Sequence, residues 1–213
     1  LTNLTTGDQN VTVGAAAMVA IAGGSYNISM GVSSLESNVS SNFNVALGHG
    51  AGGQTTGGNN TYVGGAAGNA ITTGSGSAFL GYDAGGSVTT GNMNIAIGYD
   101  SMNGGTTTGD NNIAIGVSAG DALTSGYDNI FMGKDAGGAH TEGRYNHFIG
   151  RDAGKLLTTG ERNVAIGAFT LDAANGDEDY NIAIGHNALS ALDGDTADGN
   201  IGIGYSAGDT MTT

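Results

Sequence analysis

The residues with the clearest spacing for chemistry are four aspartates that occupy one position of a repeating pattern. Asp83 and Asp100 are 17 residues apart, and so are Asp135 and Asp152. If 17 residues form one turn of a stacked structure, the carboxylates of each pair lie about 5 Å apart and repel each other. A hard cation such as Ca²⁺ takes oxygen ligands and would remove that repulsion. The spacing permits a calcium site at these four residues; the alternative, which we favour, is a solvated carboxylate row with basic neighbours.

A second candidate site is a band that holds all five basic residues of the chain, Lys134, Arg144, Arg151, Lys155 and Arg162. Clustered cations beside aromatic rings can bind an anionic surface glycan or a lipopolysaccharide phosphate. The candidate ligand-binding residues are Lys134, Arg144, Tyr145, His147, Arg151 and Arg162. The alternative, which we favour, is local pairing with Asp135, Glu142, Asp152 and Glu161.

Composition excludes several other functions. The chain has no Cys, which excludes disulfides and thiolate metal sites. Its four histidines, at 49, 140, 147 and 186, fall at different repeat positions, and no paired-carboxylate motif is present, so we expect no catalytic residue and no enzyme. The formal net charge of −14 argues against nucleic-acid binding. No apolar run approaches the length of a membrane-spanning helix, so we expect no membrane insertion.

These residues are set on a repeat that reads Asn, apolar, any residue, apolar, Gly. It occurs twelve times along the whole chain, mostly at 17-residue steps. Asn opens eleven copies, at Asn10, Asn27, Asn44, Asn60, Asn94, Asn112, Asn129, Asn146, Asn163, Asn181 and Asn200, and Ser77 opens the other. A stacked row of Asn side chains can bond the backbone of its own and adjacent turns, so we interpret it as a structural ladder. The alternative is a row of amides presented to a sugar.

Each copy contains one short strand, since apolar residues alternate as in Asn94–Gly98. Seventeen residues are too few for a helical repeat. The 42 Gly supply turns, and the absence of Pro suits continuous hydrogen bonding between turns. We predict an all-β fold, a parallel β-solenoid (β-roll) of about twelve 17-residue turns, forming one domain over residues 1–213. A further apolar residue follows about eleven places after the Asn in several copies, at Ile71, Val88, Leu123, Leu157 and Leu192.

The central residue of each strand is expected to point away from the interior of the solenoid. Nine of these twelve residues are Ala, Phe or Tyr, whereas a solvated face would be polar. We therefore predict that sister chains cover this face in a homotrimer.

The repeats resemble those of two related groups. Asn94-Ile-Ala-Ile-Gly98-Tyr-Asp-Ser-Met and Asn112-Ile-Ala-Ile-Gly116-Val-Ser-Ala-Gly are similar to repeats of bacteriophage tail fibres and of trimeric autotransporter adhesin heads, of the left-handed parallel β-roll type. The 17-residue step and the Thr-Thr-Gly turn, as at Thr158-Thr159-Gly160, look more like the tail-fibre type. The resemblance covers all twelve copies. It implies a homotrimer of β-rolls with a role in attachment, extracellular or at the virion surface.

The resulting hypothesis is a non-catalytic rod, adhesive or structural, that requires no cofactor and is a fragment of a longer fibre. The main partners are other copies of the same chain, and a cell-surface glycan or receptor is a further partner. One alternative is a ligand-binding β-solenoid, for glycan or for ice. The hypothesis of ice binding depends on a row of Thr side chains, which we otherwise assign to turn chemistry. The row consists of Thr56, Thr73, Thr90, Thr108, Thr124, Thr141 and Thr159. The other alternative is a subunit of an extracellular filament.

Overall fold

The structure is a computed structural model that describes residues 3–174, 176–192 and 197–209. It divides into two compact units, residues 1–108 and residues 109–213, which are described separately. Each unit contains six strands of three residues. Those of the first unit are β1 (Val11–Val13), β2 (Ile28–Met30), β3 (Val45–Leu47), β4 (Thr61–Val63), β5 (Ala78–Leu80) and β6 (Ile95–Ile97). Those of the second are β7 (Ile113–Ile115), β8 (Ile130–Met132), β9 (His147–Ile149), β10 (Val164–Ile166), β11 (Ile182–Ile184) and β12 (Ile201–Ile203).

Within each unit the strands pair in parallel and in chain order, so that each turn lies on the next. In the first unit Ser29 pairs with Ala46, and in the second Phe131 pairs with Phe148, one repeat further along the chain in each case. No residue in the described part of the chain is helical. The prediction of an all-β parallel β-solenoid is therefore confirmed.

A glycine closes every strand because no other residue fits there. These glycines have φ between 123° and 153°, a region that L-residues rarely adopt. A Cβ built on Gly116 would lie 2.5 Å from the carbonyl oxygen of Gly133, which closes the strand of the following turn. The glycine carbonyls thus stack directly on one another, which explains why this position is Gly in all twelve copies.

The expectation that the strand-centre residues point outward is wrong. Ala46, Tyr62, Phe131 and Phe148 have no exposed surface, so the strand centre faces the interior of the solenoid. Alternation along a strand shows which side chains share a face, but it does not show which of the two faces is enclosed. This row is therefore enclosed within its own chain and is not available as a trimer interface. Ile71, Leu123 and Leu157, each eleven residues after the Asn of its copy, are buried as well.

Two columns of residues together fill the narrow interior of the solenoid. The first is the strand centre, and the second, which we call the packing column, lies six residues after it. Where the strand centre is Phe, the packing column is Gly, as in Phe79 with Gly85, Phe131 with Gly137 and Phe148 with Gly154. In several turns with a small strand centre the packing column is large and buried, as in Ser29 with Leu35, Ala96 with Met102 and Ala165 with Leu171. Ala46 with Gly52 and Ala114 with Gly120 are exceptions, in which the ring of the following turn's strand centre lies closest to the glycine. A large side chain thus comes from one column or the other, which keeps these turns filled without overpacking.

The first and third residues of each strand point outward and form a surface that we call the strand face. All twelve third residues are Val, Ile, Leu or Met, as are nine of the twelve first residues; Thr61, Ala78 and His147 are the exceptions. Neither column contains a Lys, Arg, Asp or Glu. These side chains are half-buried or exposed, up to 68% for Ile201. Each unit therefore carries an apolar strip along its strands, of a kind that usually marks an interaction surface.

Candidate functional site

The Asn row forms a continuous ladder of buried hydrogen bonds within each unit. In the first unit the backbone N–H of Asn44 donates to Asn27 Oδ1 at 2.9 Å, and that of Asn60 donates to Asn44 Oδ1 at 3.0 Å. In the second unit, Asn146 Nδ2 donates to the carbonyl of Gly160 at 2.8 Å, and Gly160 lies in the corner just before the strand of the next turn. Most of these side chains have no exposed surface, so the amides are engaged by the protein and are not presented to a ligand.

Replacing Asn146 with Ala is expected to destabilise the chain by about 3 kcal/mol. The change leaves the buried N–H of Asn163 without its acceptor, 3.0 Å away, and the Gly160 carbonyl without a donor. Denaturant unfolding monitored by circular dichroism measures the loss. Asn146→Ser is the matched control, because Ser77 occupies the same column and its Oγ accepts the N–H of Asn94 at 3.2 Å. An equal loss for both variants would contradict the ladder's role.

The structure separates the predicted basic band into two clusters on different repeat columns. Arg144, Tyr145 and Arg162 lie just before the Asn column, whereas Lys134 and Arg151 follow the closing glycine. His147 belongs to neither cluster, since it is the first residue of β9 and lies on the strand face. The six predicted residues therefore lie on different columns of the turn, and ligand binding by them stays a prediction.

The cluster before the Asn column is an exposed stack of Tyr and Arg side chains. Arg162 lies over the rings of Tyr145 and Tyr180, with its guanidinium carbon 5.3 and 5.4 Å from their centroids. Glu161 accepts a hydrogen bond from Arg162 Nη1 at 2.7 Å, and its other oxygen lies 2.8 Å from Arg144 Nε without the alignment of a hydrogen bond. Arg144 Nη1 donates to the hydroxyl of Tyr127. These contacts pair the cations within the protein, as the favoured alternative expects.

Sequence reasoning missed Tyr127 and Tyr180, although a signal for them was present. Tyr127, like Arg144, lies two residues before the Asn of its turn, and Tyr180, like Tyr145 and Arg162, lies one residue before it. The repeat register therefore places these side chains on adjacent columns of neighbouring turns. Arg144 stands over Tyr127 at 5.5 Å. Aligning the repeats on the Asn, rather than searching for basic residues alone, would have found the stack.

The second basic cluster neutralises two of the four predicted calcium ligands. Lys155 Nζ lies 2.8 Å from Asp152 Oδ1 and 4.0 Å from Asp135 Oδ2, and Arg151 Nε donates to Asp152 Oδ2 at 3.0 Å. Burial alone would raise the pKa of Asp152, but its hydrogen bonds and ion pairs with Lys155 and Arg151 outweigh burial and lower its pKa. This pair of carboxylates is thus held by basic side chains.

The other pair, Asp83 and Asp100, belongs to the first unit, whose sequence contains no Lys or Arg. Burial, followed by the charge of Asp100, raises the pKa of Asp83, while a hydrogen bond with Asn103 opposes the shift. All four aspartates have φ near 55°, the left-handed conformation that Asp and Asn tolerate best, which gives a local reason for Asp at this position. Among the described residues, no group of three or more His, Asp and Glu side chains is arranged to hold a metal ion. The calcium site stays a prediction, which a calcium titration of the melting temperature tests.

The Thr row donates to the backbone. The hydroxyls of Thr56, Thr124 and Thr141 each donate to a carbonyl of the next turn at 3.1 Å. Their hydrogen-bonding capacity is therefore partly used inside the fold, as turn chemistry expects. Ice binding stays a prediction, which an assay of thermal hysteresis tests.

His140 is a buried imidazole in a column that elsewhere holds Ile71, Leu123 and Leu157. Its Nδ1 donates to the carbonyl of Leu157 at 3.2 Å, and its Nε2 accepts from Asn146 Nδ2 at 3.2 Å. The ring also packs edge-on against Phe131 and Phe148. Burial lowers the pKa of His140, which the backbone carbonyls of Gly143 and Leu157 only partly oppose.

Acidification is expected to destabilise the second unit through His140. Because its pKa in the folded chain lies below the unfolded value of about 6.5, the unfolded chain binds the proton more readily. The contribution of His140 is therefore complete above about pH 6.5 and is lost as the pH falls below that value. Comparing the free energy of unfolding of wild type and His140→Leu at pH 7.5 and pH 5 measures this loss. Equal pH dependence of the two proteins would contradict the assignment.

Comparison with known proteins found no matching family model, no matching curated protein and no matching solved structure. No helix in the described part of the chain is long and apolar enough to cross a membrane.

Proposed function

We propose that this chain is a structural segment of an attachment fibre, acting as a stiff, non-catalytic rod at a virion or cell surface. The observation that carries the proposal is the uniformity of the turns. Parallel strand pairing, stacked closing glycines and the Asn ladder recur from turn to turn within each unit. A structure in which most residues serve turn-to-turn contacts suits a spacer whose function is mechanical. A cell-surface glycan or receptor is the further partner of such a fibre.

The fibre is proposed to be a homotrimer in which the strand faces of three chains meet. We assign the interface to the strand face and not to the strand-centre row, because the strand-centre row is enclosed within each chain. It is apolar along each unit and has no charged side chain, so a second and a third copy can bury it without desolvating an ion. Burying one Ile or Val side chain fully contributes about 1.5–3 kcal/mol, and the strip repeats such residues on every turn.

Lengthening the chain by whole turns tests the rod. Repeating residues 112–180, which make four repeats, directly after Tyr180 keeps the register of the Asn column. Four added turns at ~4.8 Å each predict a maximum dimension about 19 Å greater by small-angle X-ray scattering, with an unchanged cross-section. An increase in cross-section without an increase in length would contradict a rod.

A further inference from the structure

A polar groove crosses three successive turns of the first unit, on columns used by neither the Asn ladder nor the strand face. It encloses about 340 Å³. Its floor includes Gly50 and the buried Gly53, where the equivalent residues of the preceding turn are Ser33 and Glu36. The groove therefore exists because one turn lacks side chains that the neighbouring turn carries.

The walls and rim of the groove carry six polar side chains, Ser33, Glu36, Ser37, His49, Gln54 and Asn69. Ser33, Ser37 and Asn69 are half-buried, whereas the other three are exposed. Within the described part of the chain, none of the six side chains makes a hydrogen bond or an ion pair with another residue. The Asn and Thr side chains of the ladders, in contrast, bond the backbone of adjacent turns. The donors and acceptors of the groove are thus available to a ligand.

The equivalent columns of the second unit provide a comparison. A depression of about 270 Å³ lies there, lined by Asp135, Lys155 and Leu156 among others. Its charged groups are engaged, since Lys155 bridges Asp135 and Asp152. The groove of the first unit, in contrast, presents polar side chains that make no hydrogen bond or ion pair within the described part of the chain.

We propose that this groove binds a short neutral saccharide. Hydroxyl, amide, imidazole and carboxylate groups together provide donors and acceptors for sugar hydroxyls, each of which both donates and accepts. The volume lies at the lower end of the roughly 300–1,000 Å³ of small-molecule sites, which suits a few sugar rings. Glu36 is unpaired and the first 133 residues contain no Lys or Arg, so an anionic ligand is repelled. The site lies within one chain, so binding does not require the proposed trimer.

Saturation-transfer NMR on the full chain tests the proposal with cellotriose, mannotriose and chitotriose as separate probes. We expect transfer to at least one of the three and none to the anionic trisaccharide sialyllactose. Gly53→Asn fills the groove and is expected to abolish transfer. We expect the fold to tolerate this change, because Asn69 and Asn103 occupy the same column and Gly53 lacks a positive φ. The atom nearest to the added Cβ, at 2.6 Å, is Asn69 Oδ1, at the end of a side chain that can rotate away. Glu36→Gln is expected to weaken binding about tenfold, because a neutral amide oxygen replaces the charged carboxylate as the acceptor.

Gly138→Asn is the matched control, since it adds the same side chain to the same column of the second unit. It is expected to leave transfer unchanged, and thermal melts of both Asn variants report on folding. The proposal is overturned if none of the three neutral probes receives saturation, if transfer persists in a folded Gly53→Asn variant, or if sialyllactose binds more tightly than the neutral probes.

Discussion

Exchanging Phe148 for Ala and Gly154 for Leu together is expected to recover stability that each change loses alone. Phe148→Ala empties a fully buried site and costs about 3–5 kcal/mol. Gly154→Leu places a Cβ 2.6 Å from the Phe148 ring, so that it also destabilises strongly. The double variant reproduces the pairing of the next turn, Ala165 with Leu171, and Leu171 already adopts the left-handed φ of 48°.

Urea unfolding at one fixed protein concentration measures this coupling, because association changes apparent stability. We expect the double variant to be about 2 kcal/mol more stable than additivity of the single changes predicts. Phe148→Ala with Gly138→Leu is the control, since the three atoms nearest to a Cβ built on Gly138 belong to the backbone of Asp135 and not to Phe148. Additive losses in the Phe148 and Gly154 pair would show that the two columns do not compensate for each other.

Glutamates on the strand face are expected to dissociate the trimer while leaving the turns folded. Ile115→Glu with Ile149→Glu puts two carboxylates on half-buried positions of this face, where association would have to desolvate them. We expect the dissociation constant to rise at least about a hundredfold, which corresponds to about 2.8 kcal/mol. Sedimentation velocity measures association, and far-ultraviolet circular dichroism measures folding.

Leu156→Glu is the control for this experiment. Leu156 is 45% exposed and lies outside the strands. The variant therefore replaces an exposed apolar side chain with a carboxylate at a position away from the strand face. It is expected to leave association unchanged. Equal dissociation by all variants, or none by the double variant, would place the interface elsewhere.

The sequence was sufficient to predict the register, because position in the repeat determines what each residue contacts. Asn27, Asn44 and Asn60 lie one repeat apart in sequence and one turn apart in the structure, joined by hydrogen bonds. His140 likewise occupies a column of buried aliphatic residues, from which its burial follows.

The side of the strand that faces inward could not be obtained from alternation alone. In the strand Ile95–Ile97 both faces carry apolar side chains, so the two faces differ in side-chain volume and not in polarity. The pairing of Phe148 with Gly154, against Ala165 with Leu171, was the available signal, because only residues that share an enclosed space compensate in size. Proximity in sequence did not show which residues of the basic band are neighbours in the fold, because Arg144 and Arg151 lie on different columns of the turn.

Sedimentation equilibrium of the unmodified chain at neutral pH tests the central claim most directly. A fibre segment whose strand faces meet in a trimer predicts a mass three times the 20.9 kDa of one chain, maintained on dilution to the low micromolar range. A stable monomer of 20.9 kDa, folded and with its apolar strand face in water, would contradict the account.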